Sequence, residues 1–127
     1  MKALIVDDHL LNRKLLEKLL VDYADCDLAE NGKIAFDNFK KAIEQKAPYD
    51  LICLDIMMPE MDGFETLKQI KEYKDVSSKK VKVIMCTARK DTEAVAKSVS
   101  LGCDGYLGKP YNRQKLETQL KKLKLID

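Results

Sequence analysis

The sequence predicts an α/β fold: a five-stranded parallel sheet, in the strand order 2-1-3-4-5, with helices on both faces. Short apolar runs bounded by polar turns, typical of strands buried on both faces, alternate with stretches of helical period. This strand–helix alternation occurs five times, and right-handed crossovers leave few topologies, of which the doubly wound order accommodates five strands. Because 127 residues suit one domain, we expect a single domain over residues 1–127.

The strands are predicted from the apolar runs. In chain order, these runs are Ala3–Val6, Asp27–Ala29, Leu51–Leu54, Val81–Cys86 and Gly105–Leu107. The second and fifth are the weakest, because they contain few apolar residues. None approaches the roughly 20 apolar residues of a membrane span.

The helices are predicted from apolar residues three or four positions apart, which form a stripe that packs on the core. The stripes are Leu11, Leu15 and Leu19, with Leu16 and Leu20 beside them; Ala35, Phe39 and Ile43; Phe64, Leu67 and Ile70; Val95 and Val99; and Leu116, Leu120 and Leu123. Asn112 precedes the last stripe and is a suitable N-cap. The polar segment 74–80 is predicted to be a surface loop.

Composition excludes several classes of protein. Hydrophobic residues make up 46% of the chain, which is too many for a disordered protein. Basic residues number 23 and acidic residues 21, so the totals indicate no nucleic-acid partner. Four cysteines without C-x-x-C spacing, beside a single histidine, argue against a zinc site. Without a signal-peptide or membrane pattern, we expect a cytoplasmic protein.

Polar side chains follow four of the five predicted strands. Asp7 and Asp8 follow the first, Asp55 the third, Thr87 the fourth and Lys109 the fifth. The carboxyl ends of parallel strands share one edge of the sheet, where ligands bind in such folds. Neighbouring carboxylates need a counter-charge, and Mg²⁺ takes one or two carboxylates together with phosphate oxygens. The set suits phosphoryl transfer, with Asp55 as the candidate acceptor, although any one aspartate could be purely structural.

Four segments together carry a resemblance to a known family. They are Leu4–Asp8 (LIVDD), Leu54–Gly63 (LDIMMPEMDG), Cys86–Ala88 (CTA) and Gly105–Pro110 (GYLGKP). The chain resembles a response-regulator receiver domain, either stand-alone like the chemotaxis regulator or belonging to a phosphorelay. The resemblance covers the chain from end to end and implies a flavodoxin-like fold.

The resemblance implies a role for each residue at the strand ends. Asp55 would accept a phosphoryl group from a histidine kinase or a histidine phosphotransfer protein. Asp7, Asp8, Asp55 and the backbone carbonyl of Met57 would hold Mg²⁺ (or Mn²⁺), and Lys109 would contact the phosphoryl group. The chain would be a signalling phospho-acceptor that catalyses only its own phosphorylation and slow dephosphorylation.

The resemblance also implies a switch. Thr87 and Tyr106 would respond to phosphorylation, and the surface of helix 4, strand 5 and helix 5 would change its affinity for a downstream protein target. Met57 and Arg89 occupy positions that tune phosphate lifetime, and their bulk predicts slow hydrolysis. We interpret His9 as exposed and incidental, with a role as phosphodonor or metal ligand as the alternative.

Other hypotheses about the function stay open. The chain could be the N-terminal receiver fragment of a longer regulator, or a phosphate-independent pseudo-receiver that only binds partners. A haloacid-dehalogenase-type phosphatase is disfavoured, since Met57 stands where that chemistry needs an aspartate. A flavin carrier is disfavoured because Asp7 and Asp8 would repel the flavin phosphate. We expect a monomer or a weak dimer, with no membrane partner.

Overall fold

The computed structural model describes residues 1–73, 81–88 and 92–127. Its elements, in chain order, are β1 (Lys2–Val6), α1 (Leu10–Leu20), β2 (Asp25–Ala29), α2 (Gly32–Glu44), β3 (Leu51–Asp55), α3 (Gly63–Glu72), β4 (Lys82–Thr87), α4 (Thr92–Ser100), β5 (Gly105–Gly108) and α5 (Arg113–Lys122). The predicted fold class is confirmed. The predicted surface loop 74–80 and the hydrolysis-tuning position Arg89 lie outside the described residues.

The five strands are parallel and lie in the order β2-β1-β3-β4-β5. Their register places the carboxyl ends side by side: Val6 pairs with Leu54, Asp55 with Cys86, and Thr87 with Gly108. The strand order reverses direction between β1 and β3, which is where ligands bind in this topology. The sheet therefore brings the predicted polar residues to one edge.

Each face of the sheet forms its own core. Ile52 and Leu54 of β3 point to the face covered by α2 and α3, where Phe39 and Leu67 are buried. Alternate residues of the same strands point to the other face, which α1 and α5 cover. A strand buried on both sides needs a continuous apolar run, and all five residues of β3 are buried.

Two buried thiols lie on the second face, in the middle of the sheet. Cys53 on β3 and Cys86 on β4 are each 1% exposed, and both are free cysteines. The hydrogen bond between them and burial raise the pKa of Cys53 well above its usual value. Burial and a raised pKa make Cys53 a poor nucleophile and a packing residue of the core.

The predicted apolar stripe of α1 is wrong for its first two leucines and right for the others. Leu16 and Leu20 are buried, whereas Leu11 is 83% exposed and Leu15 is 42% exposed. The helix carries leucines in adjacent pairs, so periodicity alone does not select which row faces the sheet. In α4 the prediction also fails, because Val99 is 63% exposed.

Side-chain caps define the starts of three helices. Asn31, Asp62 and Asn112 each accept a hydrogen bond from the backbone N–H three residues later. The predicted cap at Asn112 is thereby confirmed. Across the described ranges, no helix combines the length and apolar character needed to cross a bilayer.

Candidate functional site

The site lies at the carboxyl edge of the sheet, where three strands end in buried polar residues. Asp55 is the last residue of β3 and Thr87 is the last residue of β4, and each is 3% exposed. Asp7 follows β1 and is 2% exposed. Lys109 follows β5, and its backbone N–H donates to the carbonyl oxygen of Thr87 at 2.8 Å. The Lys109–Pro110 peptide bond is cis.

Lys109 joins two of the buried carboxylates. Its Nζ donates a hydrogen bond to Asp55 Oδ1 at 3.0 Å and lies 3.2 Å from Asp7 Oδ2. The Lys109 side chain is 16% exposed, so both ion pairs are shielded from bulk water. The predicted association of Asp55, Asp7 and Lys109 is therefore present in the structure.

Burial and neighbouring charges set the electrostatics of this cluster. Burial raises the pKa of Asp55, the hydrogen bond from Lys109 opposes that rise, and the negative charge of Asp7 adds to it. Burial lowers the pKa of Lys109, but its hydrogen bond to Asp55 and the charges of Asp55 and Asp7 outweigh burial and raise it. The ammonium group is consequently held in its charged form beside Asp55.

The acidic pair after β1 offers oxygen atoms to a cation. Among the described residues, Asp7 Oδ2 and Asp8 Oδ1 are buried without a hydrogen bond, although Lys109 Nζ forms an ion pair with Asp7 Oδ2. One ammonium group does not neutralise the three carboxylates of Asp7, Asp8 and Asp55. A divalent cation, which prefers oxygen ligands, would satisfy both atoms. The residues present therefore fit the Mg²⁺ that the resemblance implies.

His9 belongs to the same cluster, although the sequence favoured an exposed, incidental side chain over a metal ligand. One ligand atom from each of Asp7, Asp8 and His9 lies within 4.8 Å of the others. The His9 side chain is 70% exposed, as predicted. Asp55 is not a member of this group, and its Oδ1 is bound to Lys109.

The chain around Asp55 is held by close backbone packing. The Ile56 N–H donates to the Cys86 carbonyl at 3.1 Å, and the Gly63 N–H donates to the Ile56 carbonyl at 2.8 Å. A Cβ on Gly63 would lie 2.2 Å from the carbonyl oxygen of Asp55, closer than atoms can approach. Only glycine lets the start of α3 pack against the acceptor strand.

The other predicted residues surround the site. Met57, two residues after Asp55, is 65% exposed. Tyr106 is half-buried on β5, and its backbone N–H faces Gln119 Oε1 at 3.4 Å.

Arg13 has a position in the site that the sequence did not predict. Its Nη1 donates to the backbone carbonyl oxygen of Asp7 at 2.7 Å and ties α1 to the end of β1. Arg13 lies four residues after His9, and its backbone N–H bonds the His9 carbonyl. The sequence signal that could have indicated this contact is an arginine one turn into the helix that follows the acidic pair.

The fold and the site together define a class of doubly wound α/β domain that has an acidic cluster and a lysine at the strand ends. The chain belongs to the response regulator receiver domain family, whose sequence pattern matches residues 3–121. The predicted family is thus confirmed.

Individual relatives support the assignment. The chain is 36% identical over 113 residues to the chemotaxis protein CheY of Halobacterium salinarum, covering 88% of this chain and 87% of that protein. It is 33% identical over 120 residues to the probable transcriptional regulator ycf29 of Porphyra purpurea, covering 94% of this chain and 54% of that protein. The chain therefore spans about half the length of the latter relative.

Comparison with a solved structure shows that the fold is also similar. The chain matches CheY of Borrelia burgdorferi, in its complex with CheX, BeF3 and Mg²⁺, with a TM-score of 0.86 and 28% sequence identity. The match covers 97% of this chain and 88% of that chain. Receiver domains belong to two-component and phosphorelay signalling, and this chain shares their complete fold.

Proposed function

We propose that this receiver domain accepts a phosphoryl group on Asp55, from a phosphohistidine of a histidine kinase or of a histidine phosphotransfer protein. The observation that carries this proposal is the position of Lys109 Nζ, 3.0 Å from Asp55 Oδ1 and 3.2 Å from Asp7 Oδ2. The ammonium group can contact an oxygen of a phosphoryl group on Asp55, and it stays charged there. Phosphoryl transfer depends mainly on such positioning and charge neutralisation.

The transfer step uses the side chains at the strand ends. An oxygen of Asp55 attacks the phosphorus atom, the O–P bond forms as the P–N bond breaks, and the electron pair goes to the imidazole nitrogen. Lys109 offsets negative charge on the phosphoryl oxygens. The hydroxyl of Thr87, at the end of the neighbouring strand, can donate a hydrogen bond to one of them.

Asp7 and Asp8 would hold the Mg²⁺ (or Mn²⁺) that the reaction needs, together with Asp55 and the carbonyl of Met57. A buried oxygen of each, Asp7 Oδ2 and Asp8 Oδ1, has no hydrogen bond among the described residues, which supports this assignment. When bound, the cation neutralises charge on the transferred phosphoryl group. The relative from Borrelia burgdorferi, solved with Mg²⁺ and BeF3, is consistent with it.

The proposed output is a change of protein partner. Phosphorylation would bias Thr87 and Tyr106 toward a second arrangement and alter the surface of α4, β5 and α5. That surface would then bind a downstream protein target. The protein is proposed to be cytoplasmic, and monomeric or weakly dimeric, and to lack phosphatase activity toward small molecules.

Intact-mass measurement of the protein incubated with acetyl phosphate and Mg²⁺ tests the proposal. We expect the mass gain of one phosphoryl group, which disappears without Mg²⁺ and in the Asp55→Ala variant. A gain that persists in this variant would place the acceptor elsewhere. No gain in the Mg²⁺-bound protein would favour a phosphate-independent interaction module.

A further inference from the structure

We propose that His9 is a third ligand in the cation site of Asp7 and Asp8, and that it gives this site affinity for transition-metal ions such as Ni²⁺. The inference deepens the proposed function, on which it rests, because it concerns the cation held by the same two aspartates. It assigns His9 a role in metal selectivity.

The positions of the ligand atoms are the first argument. His9 Nδ1 lies 3.1 Å from Asp8 Oδ1 and 3.6 Å from Asp7 Oδ1. Two ligands at right angles on one ion, each about 2.1 Å from it, are separated by about 3.0 Å. The contact between His9 and Asp8 therefore has the spacing of two neighbouring ligands of one ion.

The absence of a hydrogen bond in this contact is the second argument. Asp8 Oδ1 is buried and, among the described residues, has no hydrogen-bond donor despite the nearby ring. Asp7, whose side chain is 3% exposed, contributes a carboxylate oxygen to the same cluster. Asp8 Oδ1 thus retains the capacity to bind a cation beside the imidazole.

The backbone fixes the position of His9 relative to the aspartates. The His9 N–H donates to Asp7 Oδ1 at 2.8 Å, and α1 begins at the next residue. The ring itself is largely exposed, so an incoming ion can reach it. A fixed backbone with an accessible ring allows coordination without rearrangement of the sheet.

The chemistry of the donors predicts the selectivity. Carboxylates and water suit Mg²⁺, whereas an imidazole nitrogen raises affinity for Ni²⁺, Zn²⁺ and Cu²⁺. Mg²⁺ dehydrates reluctantly and keeps several waters, so the ring should add little to its binding. His9 should therefore strengthen Ni²⁺ binding selectively.

Calorimetric titration of the full chain without a histidine tag, separately with Mg²⁺ and with Ni²⁺, tests this inference. The variants are His9→Asn and Asp8→Asn. We expect His9→Asn to weaken Ni²⁺ binding about tenfold and to change Mg²⁺ affinity less than about twofold. Asp8→Asn should weaken both ions. Unchanged far-ultraviolet circular dichroism confirms that the exposed substitution leaves the fold intact.

Two outcomes would overturn the inference. Equal Ni²⁺ affinity in the wild-type chain and in His9→Asn would remove His9 from the site. Full Ni²⁺ binding in Asp8→Asn would place that ion elsewhere on the protein. Phosphorylation of Asp55 with Mg²⁺ is measured in parallel, so failure of the proposed phospho-acceptor function is seen separately from failure of the His9 assignment.

Discussion

Lys109 provides the positive charge that two buried carboxylates share. The carboxylates of Asp55 and Asp7 lie in a poorly solvated edge of the sheet, and the ammonium group contacts both. Such a cluster is stable only while its charges compensate one another, since an unpaired buried charge costs several kcal/mol. The residue therefore has a structural effect as well as its proposed role in phosphoryl transfer.

We expect Lys109→Met to destabilise the protein by about 3 kcal/mol at pH 7 without Mg²⁺. Urea unfolding measures the change. Lys121→Met, at an exposed position of α5, is the control and should alter stability by less than about 0.5 kcal/mol. Equal effects of the two substitutions would contradict the shared-charge interpretation.

The effect of Lys109→Met should depend on pH. The folded-state pKa of Asp55 is raised by burial, so the stability linked to this group is fully present below its unfolded pKa. That stability is lost as pH rises through the folded pKa. Removing Lys109 raises the pKa of Asp55 further, so the destabilisation should shrink as pH falls toward the acid range. Urea unfolding at pH 7 and at lower pH measures the difference.

Met57 is expected to slow the loss of phosphate. Its large apolar side chain is 65% exposed beside the acceptor, where it can obstruct an attacking water. We expect Met57→Asn to hydrolyse the phosphorylated form about tenfold faster, equivalent to about 1.4 kcal/mol of barrier. The hydrolysis rate is measured as the rate at which the phosphoryl mass is lost after removal of acetyl phosphate.

The control for Met57→Asn is Glu60→Asn. Glu60 lies in the same loop, is exposed and has a φ of 66°, which asparagine tolerates. This variant should keep the wild-type rate. Equal rates for Met57→Asn and the wild-type chain would show that Met57 does not obstruct the water.

At the scale of elements, the start of α3 is positioned by contact with the acceptor strand. Gly63→Ala would place a Cβ 2.2 Å from the Asp55 carbonyl oxygen, so either the helix or Asp55 must move. We expect a loss of about 2 kcal/mol in unfolding free energy and slower phosphorylation by acetyl phosphate. Both are measured on the same preparation.

Gly108→Ala is the matched control, because a Cβ there meets nothing within 4 Å. It ends strand β5, so it changes the same residue type at the same edge of the sheet. Its unfolding free energy should stay within about 0.5 kcal/mol of the wild-type value. A comparable loss in both variants would mean that contact with the Asp55 carbonyl oxygen is not the cause of the destabilisation.

The elements and most of the site were predictable from the sequence, for different reasons. Continuous apolar runs identify strands buried on both faces, and parallel topology brings Asp55, Thr87 and Lys109 to one edge. The buried face of α1 was not predictable, because paired leucines suit two orientations. Side-chain geometry was not predictable either: the sequence contains Lys109 and His9 but does not indicate which carboxylate oxygens they approach.

At the scale of the whole molecule, cation binding should increase stability. Asp7, Asp8 and Asp55 bring three carboxylates together beside one ammonium group, and their mutual repulsion is a cost to the folded state. A ligand at 100 times its dissociation constant stabilises by about 2.7 kcal/mol. We expect Mg²⁺ to raise the unfolding temperature of the wild-type chain and to have little effect on Asp8→Asn. Thermal unfolding with and without Mg²⁺ decides this, and an equal rise in both would exclude Asp8 as a ligand.

The burial of Cys53 and Cys86 gives the protein an internal reporter of core opening. Both thiols are 1% exposed on adjacent central strands, on the face that α1 and α5 cover, so an alkylating reagent can reach them only when this helical layer leaves the sheet or the protein unfolds. Core elements open with free energies that approach that of global unfolding. The alkylation rate of these two cysteines therefore follows the rare opening of the core beneath the proposed phospho-acceptor, without any engineered probe.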